Sequence, residues 1–193
     1  MNKNRLEAFS DGVLAIIITI MILELKIPRE TDWSIFHELG PQLLGYVLSF
    51  VFVGIYWGNH HHLLQLAHRV NAGIMWANLN LLFWLSLIPF ATGWMGTTHF
   101  ATYPVATYGI LLEICGLSFM ILHWQITRGQ QYDHTLQLAI RHMRWKGIFS
   151  TVFYAAAIGF AFHNTRVSCG IFVFVAMSWL VPERLIELAL NSD

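Results

Sequence analysis

The chain has 193 residues, of which 56% are hydrophobic and 11% are charged, whereas soluble domains carry about 25% charged residues. The mean hydropathy is +0.54, and the composition therefore predicts an integral membrane protein in a lipid bilayer. Lys and Arg together number 11, as do Asp and Glu, so no net positive charge attracts nucleic acid and no nucleic-acid partner is expected.

The first predicted element is a membrane-spanning helix over residues 6–27. Residues 12–23 carry no charge, and a helix over 6–27 would extend about 33 Å, close to the thickness of a bilayer's hydrocarbon core. A cleaved signal peptide is the alternative, because two basic residues precede the apolar run. It is disfavoured because Glu24 and Pro28 stand where small residues should lead to a cleavage site.

Five further apolar runs follow, each bounded by polar residues. The six predicted spans cover residues 6–27, 41–66, 74–95, 102–126, 147–163 and 167–181. Strands of a membrane barrel would alternate apolar and polar residues, so continuous runs favour helices. The predicted fold is an all-α integral membrane protein, with residues 1–193 forming a single six-helix transmembrane domain.

The placement of basic residues predicts which helix ends face the cytoplasm. If the loops alternate between two sides, eight basic residues share the side of the amino terminus and three lie on the other. The eight are Lys3, Arg5, Arg69, Arg128, Arg141, Arg144, Lys146 and Arg184, and the three are Lys26, Arg29 and Arg166. By the positive-inside rule, this bias favours cytoplasmic amino and carboxyl termini.

Asp11 is the first candidate functional residue. It lies roughly one turn inside the cytoplasmic boundary of the first span, where a carboxylate needs partners. Arg5 does not share its helix face, so the partner is expected from another helix. A structural latch and direct ion or proton handling are both open roles.

An aromatic and imidazole cluster ends the second span. Trp57 is an i, i+3 neighbour of His60 and an i, i+4 neighbour of His61, and Asn78 in the third span could join them. Consecutive imidazoles point in different directions on a helix and no Cys joins them, so hydrogen bonds between helices are favoured over a metal site. No metal and no cofactor are expected.

The first span also carries an apolar stripe. Ile16, Ile20 and Leu23 fall within about 60° of one another on a helical wheel, and Asp11 points about 140° away from Ile16. Periodicity alone leaves open whether this stripe faces lipid, another helix or a pore. In the second span, Gly54 and Gly58 predict a close contact between helices.

One connection, one proline and one missing class of motif complete the pattern. Residues 128–146 are either a basic helix on the inner membrane surface or a solvated connector. Pro89 should weaken the outer part of the third span. The sequence contains no nucleophile elbow, phosphate-binding loop or HExxH motif, so an enzyme is not expected.

The start of the first span carries a specific motif, formed by Arg5, Phe9, Ser10, Asp11, Gly12, Val13 and Thr19. This motif resembles the start of the first helix in the endosomal and lysosomal potassium channel family called transmembrane protein 175, and in its bacterial branch in particular. Weaker similarities are Trp57-x-x-His60-His61 and the stretch from Asn78 to Pro89-Phe90-x-Thr92. The resemblance covers about the first 95 residues.

The resemblance implies a homotetramer in which four copies of the first helix surround a central pore. Ile16, Ile20 and Leu23 would form apolar rings across that pore, with Thr19 near the constriction. Glu24 would lie near the outer mouth, either as a carboxylate that concentrates cations there or as a plain interfacial residue. The implied inner scaffold that orients the first helix comprises Arg5, Phe9, Ser10, Asp11, Trp57, His60 and Asn78.

The function expected from this resemblance is a potassium-selective cation channel in the inner membrane of a bacterium. Potassium and less favoured monovalent cations would be the permeant ions. The alternative is a proton-coupled carrier or small-solute permease that uses Asp11 and the inner-side histidines. It is disfavoured because the sequence shows neither inverted repeats nor broken helices.

Overall fold

The computed structural model describes residues 2–25, 27, 35–67, 69–130 and 132–180, without the side chains of 35–38. Its helices are α1 (Lys3–Leu23), α2 (Ile35–Gln65), α3 (Ala72–Leu85), α4 (Ile88–Thr97), α5 (Thr102–Thr127), α6 (His134–Ala161) and α7 (Thr165–Leu180). The protein is all-helical, as the continuous apolar runs predict. Lys26, Arg29, His68 and Arg184 lie outside the described residues.

Four helical stretches within the described residues are long and apolar enough to cross a membrane. They are Lys3–Leu23, Leu39–Gln65, Ala72–Thr97 and Thr102–Thr127. Helix α6 has the length, but basic residues occupy its first half, and the apolar α7 has 16 residues. A multi-pass membrane protein follows, while the count of six spans stays a prediction.

The third predicted span consists of two helices rather than one. Helix α3 ends at Leu85, and α4 begins at Ile88 with Pro89 in its first turn. Proline lacks a backbone N–H and clashes with the preceding turn, so it is tolerated at a helix start but not inside one. The predicted weakening at Pro89 is therefore a break between α3 and α4.

Residues 128–146 do not form a separate surface helix, and only their first part is a connector. Helix α6 begins at His134, is capped by the Asp133 side chain that accepts from the Leu136 N–H at 3.0 Å, and continues to Ala161. The connector interpretation is thus wrong from His134 onward, where the predicted helix is part of α6. The basic residues lie on the first turns of a helix of about 42 Å.

Helix α5 lies at the centre of the bundle and packs against α2, α3, α4, α6 and α7. Helix α1 packs on one side, against α2, α3 and α4. The Lys3 ammonium donates to the Gln65 carbonyl at 3.0 Å, and the Tyr132 hydroxyl donates to the Leu66 carbonyl at 3.4 Å. The start of α1, the end of α2 and the α5–α6 connection therefore share one end of the bundle, which we call the inner end.

The close helix contact predicted at Gly54 and Gly58 is absent among the described residues. A Cβ atom added at either glycine would meet nothing within 4 Å. The close approach occurs instead at Gly96, where an added Cβ would lie 2.8 Å from the Gln42 Cα. Since that neighbour is backbone, only glycine lets α2 and α4 pack at this distance.

Candidate functional site

One face of α1 is packed against the rest of the chain. The buried residues on this face are Leu6, Ser10, Leu14, Ile17 and Met21. Their spacing of three and four residues places them along a single side of the helix. This side meets α2, α3 and α4 and fixes the rotation of α1 about its own axis.

The face that carries the predicted constriction is uncovered. Ile16 is 57% exposed, Ile20 42% and Leu23 78%. Thr19 is also exposed, and its hydroxyl donates to the Ile16 carbonyl at 2.9 Å, within the same helix. No described residue covers this stripe, so it lies on the outside of the chain.

A buried hydrogen-bonded chain links α1, α2 and α3. The Asn78 amide group donates to Ser10 Oγ at 2.9 Å, and the Ser10 hydroxyl donates to the Leu6 carbonyl at 2.8 Å. His60 Nε2 lies 2.6 Å from Asn78 Oδ1, so the imidazole N–H is the donor. Ser10, His60 and Asn78 are all buried, and each has at least one partner, as most buried polar groups do. The Nδ1 of His60 has no partner among the described residues.

Asp11 makes its contact on the edge of this cluster. The Trp57 indole N–H donates to Asp11 Oδ1 at 3.0 Å, between α1 and α2. Trp57 is half exposed and Asp11 is partly buried. Asp11 thus has a partner from another helix, as its position on the wheel predicts.

A further contact between α1 and α2 was not predicted, and a bond within α2 supports it. His61 Nδ1 lies 2.8 Å from Glu7 Oε1, and His61 Nε2 lies 2.9 Å from the Gln65 amide nitrogen. If the amide donates to Nε2, the proton of a neutral imidazole is on Nδ1 and faces the carboxylate. A clue in the sequence was the i, i+4 spacing of Glu7 from Asp11, which puts both carboxylates near one helix face.

Two residues of the predicted inner scaffold lie apart from these contacts. Arg5 and Phe9 are exposed, and within the described chain neither side chain joins the chain of bonds through Asn78. Phe9 continues the uncovered stripe of α1 toward the inner end. Their roles stay predictions.

Glu24 lies at the opposite end of α1, against α4. A Cβ added at Gly93 would fall 2.8 Å from Glu24 Oε2, so the carboxylate rests on the glycine backbone. Glu24 borders a shallow depression with Phe90, Trp94 and Thr97. The carboxylate is exposed and can meet a cation from solution.

Two polar groups within the membrane-spanning helices were not predicted from the sequence. Glu113 lies near the middle of α5, where Thr151 of α6 hydrogen-bonds its side chain, and a lone carboxylate in mid-span was the available signal. Ser49 Oγ lies 2.6 Å from Thr92 Oγ1 and 2.8 Å from the Tyr108 hydroxyl. This second group joins α2, α4 and α5 in the buried core.

The imidazoles do not assemble into a metal centre within the part of the chain that the structure describes. No group of three or more His, Cys, Asp or Glu side chains there could hold a metal ion. His60 and His61 each bond a different residue, as stated above. The two cysteines, Cys115 and Cys169, are free thiols.

Comparison with known proteins gives matches over the whole chain. The family described as "Endosomal/lysosomal potassium channel TMEM175" matches residues 5–89. A protein named potassium channel from Chryseobacterium sp. is 49% identical over 193 residues, which are 100% of both chains. A second potassium channel, from Streptomyces collinus, is 34% identical over 176 residues and covers 84% of each chain.

A solved structure shares the fold. It is the crystal structure of a lysosomal potassium-selective channel TMEM175 homolog from Chamaesiphon minutus, with a TM-score of 0.81 and 24% sequence identity. The match covers 94% of this chain and 97% of that chain. With the sequence matches to bacterial proteins, this places the chain in the TMEM175 family, among its bacterial members.

Proposed function

We propose that the chain forms a potassium-selective cation channel, as a homotetramer in which four α1 helices surround the pore. The two bacterial relatives above are named potassium channels, and the matched structure is titled a potassium-selective channel. The observation that carries the proposal is the rotation of α1. Its polar contacts and buried face point into the subunit, whereas the stripe through Ile16 and Leu23 is left open.

Four copies of α1 can turn their uncovered apolar stripes toward one common axis. In an isolated subunit this stripe would face lipid. Contact with lipid alone would not require α1 to be held in one fixed rotation. The buried bonds of Ser10, Asn78 and His60 fix which side of α1 points outward. These contacts hold the Ile16 face toward the proposed axis.

The proposed constriction differs from a carbonyl filter. The stretch FVGIYWG, residues 52–58, lies inside α2, so its carbonyls accept helix bonds and cannot coordinate an ion. Alkyl rings from Ile16, Ile20 and Leu23 offer an ion no replacement for its water shell. Passage then favours the cation that loses water at lower cost, which is potassium over sodium, and a narrow apolar ring also closes by dewetting.

Helix termini and charge suggest the orientation in the membrane. Lys3, Arg128 and Arg144 belong to the inner end of the bundle, and basic residues favour the cytoplasmic side. We therefore propose cytoplasmic termini and insertion in the inner membrane of a bacterium. Glu24 would then lie at the outer mouth, where four carboxylates attract cations.

Potassium flux from proteoliposomes, with sodium as the competing ion, tests the function. The full chain is expected to carry potassium faster than sodium and to give single-channel current steps in bilayers. A carrier turns over too slowly to give such steps. Flux without current steps would therefore support the carrier hypothesis instead of the channel. The absence of potassium flux would contradict both hypotheses.

Ile16→Asn tests the constriction, and Ile22→Asn is its matched control. Both isoleucines are exposed on α1, but Ile22 points about 120° away from Ile16. An amide at Ile16 should hydrate the ring and lower the potassium-to-sodium permeability ratio. About 1 kcal/mol of lost barrier difference corresponds to roughly a fivefold change in the ratio.

Bilayer recordings at matched salt measure both variants. A change at Ile16 with an unchanged Ile22 variant supports the pore position. Equal behaviour of the two variants, in channels that still pass potassium, would place the constriction on another helix.

A further inference from the structure

A cavity of about 370 Å³ lies inside the subunit, between α2, α5, α6 and α7 and away from the uncovered face of α1. This volume is within the range of small-molecule sites. Its walls are mainly aromatic and aliphatic, with Phe52, Ile55, Phe119, Met120, Ile140 and Met143 among the lining residues. An apolar cavity of this kind suits an alkyl chain.

One end of the cavity is polar, and its polar groups differ in whether they are already bonded. The Asn59 amide donates to the Ile55 carbonyl at 2.8 Å, and the Thr127 hydroxyl donates to the His123 carbonyl at 2.8 Å. His123 is 7% exposed, and its Nε2 is buried without a partner among the described residues. A buried ring nitrogen in this position needs a partner that the described residues do not supply.

Positive charge surrounds the same end. Arg144 lines the cavity and is close enough to His123 for the two to interact electrostatically. The Arg128 guanidinium lies 4.6 Å from the centre of the Trp124 ring, and the Lys146 ammonium lies 5.6 Å from that of Trp179. Both tryptophans line the cavity, so its polar end opens among three cations and two interfacial rings.

We propose that this cavity binds one acyl chain of an acidic membrane lipid, with the anionic headgroup at Arg144 and the His123 Nε2. The arrangement requires an amphiphile, because the walls are apolar whereas one end offers a cation and an unbonded ring nitrogen. We expect a lipid rather than another amphiphile, because the cavity lies between membrane helices near their basic ends. The site stands apart from α1, so it does not depend on the proposed pore.

Native mass spectrometry of the purified full chain tests the site, with phosphatidylglycerol as the acidic probe and phosphatidylcholine as the zwitterionic one. Phosphatidylglycerol should bind more tightly at one site per subunit. Arg144→Gln should weaken its binding about fivefold, from the loss of one cation near the headgroup. Arg141→Gln, on the same helix but outside the cavity lining, should leave binding unchanged.

Filling the cavity tests the acyl-chain part. Gly116 lines the cavity, and a Cβ there would meet only the Tyr56 hydroxyl, at 3.9 Å. Gly116→Leu should therefore abolish the tight site, while Gly170→Leu adds the same volume where nothing lies within 4 Å and should not. If Gly116→Leu fails to fold, the exposed Arg144→Gln still tests the site.

Three results would overturn the proposal. Equal binding of the two lipids would show that the site does not recognise an acidic headgroup. Unchanged phosphatidylglycerol binding by a folded Gly116→Leu variant places the lipid elsewhere on the surface. Equal losses for Arg144→Gln and Arg141→Gln make the effect a general one of surface charge.

Discussion

The two faces of α1 have nearly the same composition and opposite environments. Leu14 is 1% exposed on the packed face, whereas Ile16, two residues later, is 57% exposed. Both are branched aliphatic residues on one apolar helix, so hydropathy cannot distinguish them. What separates the faces is the set of polar residues on α1 that find partners in α2 and α3. In a membrane, apolar side chains are stable against lipid as well as against protein, so polar contacts determine the rotation of a helix.

The largest effect expected from this comparison is that of Leu14→Asn against Ile16→Asn. An amide at Leu14 would be buried without a designed partner and would leave space unfilled, which should lower the stability by about 3 kcal/mol or more. At Ile16 the same amide faces the open stripe, so the assembled protein should keep its stability and change its permeation. Thermal melting in detergent and size-exclusion chromatography measure the difference.

Equal melting temperatures for the two variants would break the comparison. That outcome would mean that the packed face contributes no more to stability than the open one. A large loss at both positions would instead place Ile16 in a tight interface between subunits.

A smaller effect is expected from Asn78→Leu, which cuts the buried bonds that orient α1. Ser10 loses its donor and His60 loses its acceptor, with an expected cost of about 1–3 kcal/mol. Asn80→Leu is the control on the same helix, because Asn80 is exposed, donates to Ser118 Oγ at 2.9 Å and accepts from the Trp84 indole N–H at 3.3 Å. Its expected cost is about 1 kcal/mol, from two membrane hydrogen bonds of about 0.6 kcal/mol each.

Chemical denaturation in mixed micelles measures the loss of stability in each variant. The potassium-to-sodium permeability ratio is a second, independent measurement. Since Asn78 orients α1, the proposed arrangement also predicts a less uniform pore in Asn78→Leu channels that still assemble. Equal losses of stability for Asn78→Leu and Asn80→Leu would show that burial does not make the bonds of Asn78 more stabilising than those of an exposed residue.

Much of the fold could be predicted because apolar runs and their polar boundaries are local features of the sequence. The predicted span 102–126 is the helix Thr102–Thr127, and Pro89 marks the break after Leu85. Helix α6 was harder, because the positive charges of Arg141 and Arg144 resemble those of a surface segment. A helix that continues out of the apolar layer keeps its backbone bonds, so hydropathy underestimates its length.

The candidate site could be predicted by residue type but not by pairing. Asp11, Trp57, His60 and Asn78 stand out as polar groups in apolar spans, and each indeed contacts another helix. Which of three adjacent imidazoles reaches Asn78 depends on how α2 is rotated against α3, and that rotation is a tertiary property. Since one subunit cannot show what covers its own open face, the roles of Ile16, Thr19, Ile20, Leu23 and Glu24 stay predictions.

The smallest effect concerns the Asp11–Trp57 bond at the edge of the network. Asp11→Ala and Trp57→Phe should each lower stability by about 1 kcal/mol, because the pair is partly exposed and water competes for both groups. The double variant should cost less than the sum of the two, which a double-mutant cycle measures. A latch predicts this coupling together with an unchanged permeability ratio in the tetramers that assemble. Direct ion or proton handling by Asp11 predicts the reverse, since removal of the carboxylate would then alter permeation while Trp57→Phe, which keeps the charge, would not.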